Sequence, residues 1–348
     1  MKKLSEIPVS ILDLATIVQG DSSPADAFHR SVHFARRADD LGYLRYWFAE
    51  HHNMESVASS ATSVLIGHIA GNTSRIRVGA GGIMLPNHSP LVIAEQFGTL
   101  AALYPGRIDL GVGRAPGTDG LTAQALRRNL NGDVDGFPND VVELINYLGP
   151  HDREAKVRAI PGQGTMVPVW VLGSSLYGAQ LAAMLGLPFA FASHFAPAML
   201  HEALDVYRSR FRASAFLEQP YAMACVNVIA ADSDEEAQHL ATSFHQLVLG
   251  MFRKDRRPLP PPLPSLEGIW SPAEEAGVKQ MMHYTFMGSA ASVGRSLKFF
   301  VDRTGVDEIM ITTHVYELEK KLHSMELTAG LFSHEDVTIS NPALRDQS

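Results

Sequence analysis

A single cysteine, Cys225, stands in 348 residues. A disulfide framework within the chain and any cysteine-built zinc or iron–sulfur centre are therefore excluded, and such usage fits a reducing compartment. Basic residues are also short: 29 Lys and Arg face 37 Asp and Glu, a net charge of −8. No five like charges stand together, so the basic stripe that nucleic acid or an anionic membrane would need is missing. Charged residues of both signs make up only 19%, below the roughly 25% of an average soluble domain, as expected when much of a chain lines an interior. No apolar stretch reaches the roughly 18 residues of a membrane span. Near the N-terminus, Ile7-Pro8-Val9-Ser10-Ile11-Leu12 is interrupted by Asp13 with no small-residue cleavage site after it, and reads as a strand rather than a signal peptide. These absences predict a soluble, cytoplasmic protein.

Hydrophobic residues amount to 46%, enough for a sizeable core. Strand-forming runs recur at Val9–Leu14, Tyr43–Ala49, Arg77–Leu85, Arg107–Gly113, Val167–Gly173, Phe189–Ser193, Tyr221–Ala230 and Glu308–Thr313. Most are continuously apolar, the pattern of strands buried on both faces of a parallel sheet. Helices lie between them, opened at Ser23-Pro24, Ser89-Pro90, Ala196-Pro197 and Ser289, and closed at Gly42, Pro105-Gly106 and Gly305. Eight βα units in sequence favour one (β/α)8 TIM barrel, spanning residues 1–348, over two doubly wound domains. Two insertions are expected. Ala115–Ile160, after the fourth strand, carries an extra helix near Val141–Leu148. Met251–Met287, after the seventh, contains Pro258-Leu259-Pro260-Pro261-Pro262-Leu263-Pro264, which excludes regular helix or central strand and suggests a lid. Trp270 and Met281–Met287 would form either a substrate wall or a core helix.

In such a barrel the reactive groups stand at the C-terminal strand ends. Those ends read Asp13, Glu50-His51-His52, Pro86-Asn87-His88, Arg114, Ser174-Ser175, Ser193-His194, Asn227 and Thr312-Thr313-His314. His51 and His52 are adjacent, so they point to opposite faces and do not share one ion. No zinc spacing is present and no metal site is predicted. A single imidazole moving a proton near neutral pH is the better reading. Gly111-Val112-Gly113-Arg114-Ala115-Pro116-Gly117 misplaces the third glycine of a dinucleotide fingerprint, and Gly173-Ser174-Ser175-Leu176-Tyr177-Gly178 is one residue too long for a nucleophile elbow. Together they suit a phosphate instead. Free amides and hydroxyls at the helix start after Ser175 would cradle the dianion, with Arg114 gripping it from the neighbouring strand. The plainer alternative is that Ser175 caps its helix and Arg114 makes a salt bridge. Gly79-Ala80-Gly81-Gly82-Ile83 interrupts a good strand, for a bulge or for the close approach of a planar ring.

Ala49-Glu50-His51-His52-Asn53, Val78-Gly79-Ala80-Gly81-Gly82-Ile83-Met84-Leu85-Pro86, Pro105–Arg114 and Pro168–Ser175, in that order, resemble the bacterial luciferase-like flavin monooxygenases, most closely the single-chain luciferase-like oxidoreductases of enteric type. The resemblance runs from about Val9 to Leu327. It implies a barrel that holds reduced FMN, delivered by a separate flavin reductase, usually in a homodimer, and that uses O2 to oxygenate a small organic substrate. By the same resemblance, Arg114, Ser174, Ser175 and Gly178 occupy phosphate-binding places, while Ala80, Gly81 and Gly82 face the isoalloxazine, where the family often has a non-proline cis peptide. Ser193 contacts flavin, His51 handles a proton, and Glu50 orients it or holds the flavin edge. The chain departs from luciferase at Ser174, where luciferase is acidic, and in its double glycine; nothing implies light emission. An F420-dependent dehydrogenase on the same barrel and a flavin-binding protein without catalysis are the alternatives.

Overall fold

The computed structural model describes residues 2–115, 117–126 and 136–333. Eight parallel strands close into a barrel: β1 (Val9–Asp13), β2 (Arg45–Phe48), β3 (Arg77–Met84), β4 (Ile108–Gly113), β5 (Val169–Gly173), β6 (Phe189–Phe191), β7 (Ala222–Ala231) and, as the eighth barrel strand, β9 (Glu308–Thr312). Each pairs with its neighbour and β9 returns to β1, so no edge is left open. The fold is the (β/α)8 barrel that the order of elements predicts. Its helices run outside: α1 (Pro24–Asp40), α2 (Thr62–Ala70), α3 (Pro90–Leu103), α6 (Leu176–Leu185), α7 (Leu200–Arg210), α8 (Asp234–Phe252), α10 (Ala290–Thr304) and α11 (Leu318–Gly330). Ser23 and Ser289 cap α1 and α10 through their side chains, and Gly305 closes α10 at φ +60. The helix expected from Ala196-Pro197 begins later, at Leu200, after a turn closed by Leu200 N–H to Pro197 O.

After β4, the insertion carries α4 (Gly120–Leu126) and α5 (Phe137–Leu148); α5 buries Phe137, Val141, Leu144 and Leu148 against the outer core. The second insertion differs from expectation. It contains α9 (Pro272–Met281), opened by a Ser271/Glu274 capping box, and a ninth strand, β8 (Thr285–Ser289). β8 pairs with Asn227–Ala231 of β7, beyond the Ala222–Ala224 stretch that β6 uses. Strand β8 was invisible in the sequence because it is short, only part-buried, and stabilised by one partner outside the barrel. The proline-rich stretch is fastened rather than free: Leu259 exchanges backbone hydrogen bonds with Ile17 and Gln19, and Leu263 and Pro261 are tied to Thr242 and Gln246 of α8. Beneath it a satellite core gathers Ile229, Phe244, Val248, Leu259, Val278 and Met282. Trp270, Met281 and Met287 pack on this cluster, which decides their case as core.

Inside the barrel, alternation at period two sorts the inward side chains into layers. At the N-terminal end lies a buried ionic floor, where Asp109 takes Arg45 at 2.7 Å, Arg77 at 2.6 Å and the Trp47 indole N–H at 3.2 Å. Glu308 takes Arg45 at 3.0 Å and the Tyr221 hydroxyl at 2.9 Å. Above it, Leu12, Trp47, Trp170, Ala190, Met223, Cys225 and Met310 fill the middle. The third layer, at the C-terminal mouth, is polar.

Candidate active site at the barrel mouth

Asn227 stands two residues past Cys225 on β7, on the same face of the strand, while His51, His194 and His314 follow the ends of β2, β6 and β9, with His51 and His314 near enough to act on the charge of His194. Each retains a buried polar atom with no hydrogen-bond partner: Nδ1 of the three histidines and Oδ1 of Asn227. Buried polar atoms are ordinarily satisfied, so four orphans toward the C-terminal end of one barrel mark a place for a ligand. Burial lowers the pKa of His51, against the opposing pull of Glu50, so its ring is neutral at pH 7. Burial likewise pushes His194 and His314 down to about 3.

His52 faces the other way, as adjacency predicts. Its Nε2–H donates to Glu50 Oε1 at 2.8 Å, and His88 Nε2–H donates to the same oxygen at 2.8 Å. The Met84 amide donates to Oε2 at 3.1 Å. Burial alone would raise the Glu50 carboxyl, but these hydrogen bonds, His88 foremost, hold it below the ordinary carboxylate range. Glu50 therefore stays ionised and braces His52 and His88; its side chain makes no hydrogen bond to His51. The loop after β4 is stitched to this cluster. His52 N–H reaches Gly117 O, and the Thr118 hydroxyl donates to His52 O at 3.1 Å.

That loop begins with Arg114. Its guanidinium lies 4.0 Å above the Tyr177 ring, at the first turn of α6. Among the described residues Arg114 has no carboxylate partner, and the Ser175 side chain makes no capping hydrogen bond. Ser175 thus holds the N-cap position of α6 with its hydroxyl uncommitted to the helix. An unpaired guanidinium, two serine hydroxyls and the free amides of a ten-residue helix converge from β4 and β5. Gly178 serves differently: a Cβ there would stand 3.3 Å from Gly173 Cα, so it lets α6 lie close on β5.

Of the two explanations of the double glycine, the structure shows the bulge. Ala80 pairs with Leu110 and Ile83 with Val112, so three steps of β3 span two of β4: a bulge. The Gly81–Gly82 peptide is cis. A Cβ on Gly81 would sit 2.8 Å from Leu12 Cδ1, and one on Gly82 2.7 Å from Gly111 O. Packing within the barrel alone thus demands glycine. Ala80 points outward into the helix-facing core, leaving only its backbone toward the mouth. The Ser193 hydroxyl donates to Cys225 O at 2.6 Å, tying β6 to β7.

Of the residues with a place in this site, the pattern of strand ends names His88, His194, Asn227 and His314, with the three histidines as further candidates for the proton, and does not name Tyr177. Period-two alternation from Cys225 and Met310 marks Asn227 and His314; nothing local marks Tyr177. The dianion cradle on β4 and β5 suits a phosphate-bearing cofactor such as FMN, and the unpartnered polar atoms leave the rest of the mouth able to take a second, uncharged ligand. Such a site on a (β/α)8 barrel defines a class of cofactor-dependent oxidoreductase barrels.

The comparisons narrow the class. Residues 7–306 match the profile of the luciferase-like monooxygenases, and the chain belongs to that family. It is 54% identical over 321 residues to the luciferase-like monooxygenase of Escherichia coli K12, covering 92% of this chain and 96% of that protein. The crystal structure of apo-MsnO8 superimposes with a TM-score of 0.84 at 34% identity, over 94% of this chain and 98% of that one. The oxygenating constituent of a 3,6-diketocamphane monooxygenase from Pseudomonas putida, in complex with FMN, has a TM-score of 0.69 at 16% identity, covering 94% and 98%. An F420-dependent secondary alcohol dehydrogenase has 0.65 at 12%, covering 94% and 99%; these two share the fold. No helix among the described residues is long and apolar enough to cross a membrane.

The buried histidines make stability acid-sensitive in a predictable direction. His194 and His314 remain neutral in the folded chain down to about pH 3, whereas unfolded histidine takes a proton below about 6.5. Their stabilising contribution is thus complete above pH 6.5 and is lost as pH falls from there toward 3. At pH 5 the loss is about 2 kcal/mol each. The His194→Gln/His314→Gln double variant should therefore lose about 4 kcal/mol less than the parent between pH 7.5 and 5, read from urea unfolding. Equal losses in the two proteins would mean that these rings are protonated in the fold.

Proposed function

We propose that this chain is the oxygenase of a two-component monooxygenase that binds reduced FMN, supplied by a separate flavin reductase, and inserts one oxygen atom into a small organic substrate. Family membership supports the monooxygenase class. The observation that carries the cofactor is Arg114, stacked on Tyr177 at the open start of α6. Bound there, reduced FMN would supply two electrons and two protons to O2, one oxygen passing to the substrate and the other leaving as water.

The chain's own residues do the rest. Arg114, Ser174, Ser175 and the first amides of α6 hold the phosphate. The backbone of Ala80-Gly81-Gly82 and the Ser193 hydroxyl border the ring. His51, neutral at pH 7, takes or returns a proton at its free Nδ1. Glu50 acts at one remove, holding His52 and His88 and so the loop that carries Arg114. The insertion fastened at Leu259 serves as the cover that keeps water from the mouth. A homodimer is supported by the exposed Val64 of α2 and Val92 and Leu103 of α3, which leave apolar surface on adjacent helices.

Anaerobic titration with reduced FMN and with reduced F420, followed by admission of air, tests the reading. FMN should bind and be reoxidised in the presence of a reductase-generated supply, with F420 binding far weaker. Preferential binding of F420, or oxidation of it by a carbonyl substrate without O2, would assign the dehydrogenase instead. Binding of FMN with no effect on its reoxidation would assign the non-catalytic alternative.

A further inference from the structure

We propose that His194, Asn227 and His314 form a substrate subsite that selects an uncharged group able to donate a hydrogen bond, such as a hydroxyl or an amide N–H. The inference rests on the proposed function only in taking the barrel mouth as the place where substrate enters.

Asn227 supplies the sharpest constraint. Its Nδ2 donates to the His194 carbonyl at 2.7 Å and to the Thr285 hydroxyl at 3.2 Å. A carbonyl only accepts, so the amide is fixed with its nitrogen on these partners and Oδ1 turned away from them. Asn227 is 1% exposed and that Oδ1 has no partner. An unpartnered buried acceptor is costly by about 1–3 kcal/mol, which a donating ligand would remove. A carboxylate or a ketone cannot donate to it.

The two imidazoles complete the pocket. The His314 ring is stacked on Phe244 with centroids 4.4 Å apart and planes 8° apart, and the His194 ring meets the edge of Phe195 at 4.8 Å. Both are thus set among aromatic rings, with Nδ1 of each buried and unpartnered. A neutral imidazole can present that nitrogen as donor or acceptor, according to tautomer, and so matches the remaining polarity of a hydroxyl or amide. Stripping water from an ionised group beside uncharged, aromatic-backed rings is strongly unfavourable. The phosphate cradle stands apart, on β4 and β5; these three residues extend from β6, β7 and β9. The mouth therefore divides into an anion-binding side and a neutral side.

The test uses a matched series: hexanamide, N,N-dimethylhexanamide and hexanoate, titrated calorimetrically into the protein with and without FMN. Hexanamide should bind at least tenfold tighter than either of the others. His314→Phe and Asn227→Leu should each erase that preference while FMN affinity, read by flavin fluorescence, stays within a few-fold. His314→Phe keeps the stack on Phe244, so it remains informative if Asn227→Leu fails to fold. Equal binding of the three probes, or tighter binding of hexanoate, would overturn the proposal. So would a preference that survives His314→Phe, or a loss of FMN affinity in that variant, which would give these atoms to the flavin. Failure of FMN to bind with the amide preference intact would sink the proposed cofactor and leave the subsite standing.

Discussion

The His51→Ala variant is expected to lose between 10²- and 10⁴-fold in oxygenation turnover while binding FMN within a few-fold of the parent. Proton transfer by a placed imidazole contributes on that scale. The flavin's affinity rests on its phosphate and ring contacts, which His51 does not supply. His51 is inward, its Nδ1 is buried without a partner, and burial keeps it neutral at pH 7. It is therefore ready to accept a proton at the mouth. His52→Ala should behave otherwise. His52 faces Glu50, and the carboxylate would keep His88 and the Met84 amide as partners. A modest fall in turnover is expected, with a larger change in FMN affinity through the loop that carries Arg114. Stopped-flow absorbance of flavin reoxidation, with and without substrate, reads both variants. Loss of turnover in His52→Ala with none in His51→Ala would mean that the outward histidine is the functional one.

Arg114→Ala should weaken FMN binding roughly 30- to 150-fold, the equivalent of about 2–3 kcal/mol for a charge-assisted pair. Riboflavin, which has no phosphate, should bind parent and variant alike. That contrast separates loss of a phosphate contact from general damage to the site. Arg114→Lys should recover only part of the affinity, because an ammonium neither stacks as a plane on Tyr177 nor grips two oxygens at once. Fluorescence titration of both flavins against the three proteins gives the measurement. Equal FMN affinity in Arg114→Ala would remove this residue from the phosphate site and leave Ser174, Ser175 and the α6 amides to hold it alone.

The candidate site was legible unevenly, and for physical reasons. His51 and Arg114 stood at strand ends, where the barrel puts its reactive groups, so locating the strands located them. The partner of Glu50 was not legible. Sequence adjacency suggested His51, yet a strand end sends neighbours to opposite faces, and the carboxylate instead meets His52 and the distant His88. Gly81 and Gly82 suggested a bulge or a ligand's approach, and the bulge is there. Their spacing to Leu12 and Gly111 shows that the barrel's own packing already forbids a side chain there.

What the amino-acid order determined by itself was the set of local rules: eight apolar strands, Ser-opened and Gly-closed helices, and the alternation that turns every second side chain inward. Those rules act over a few residues, so they can be read along the chain. Tertiary structure alone decided the rest. Tyr177 meets Arg114 only because β4 and β5 lie side by side. The ninth strand exists because β7 outruns β6 and offers a free length of backbone. Four unsatisfied atoms gather at one end of the barrel because the sheet closes on itself, bringing β2, β6, β7 and β9 around a common axis. Contacts between residues far apart in the chain carry no local signature, and only the folded sheet creates them.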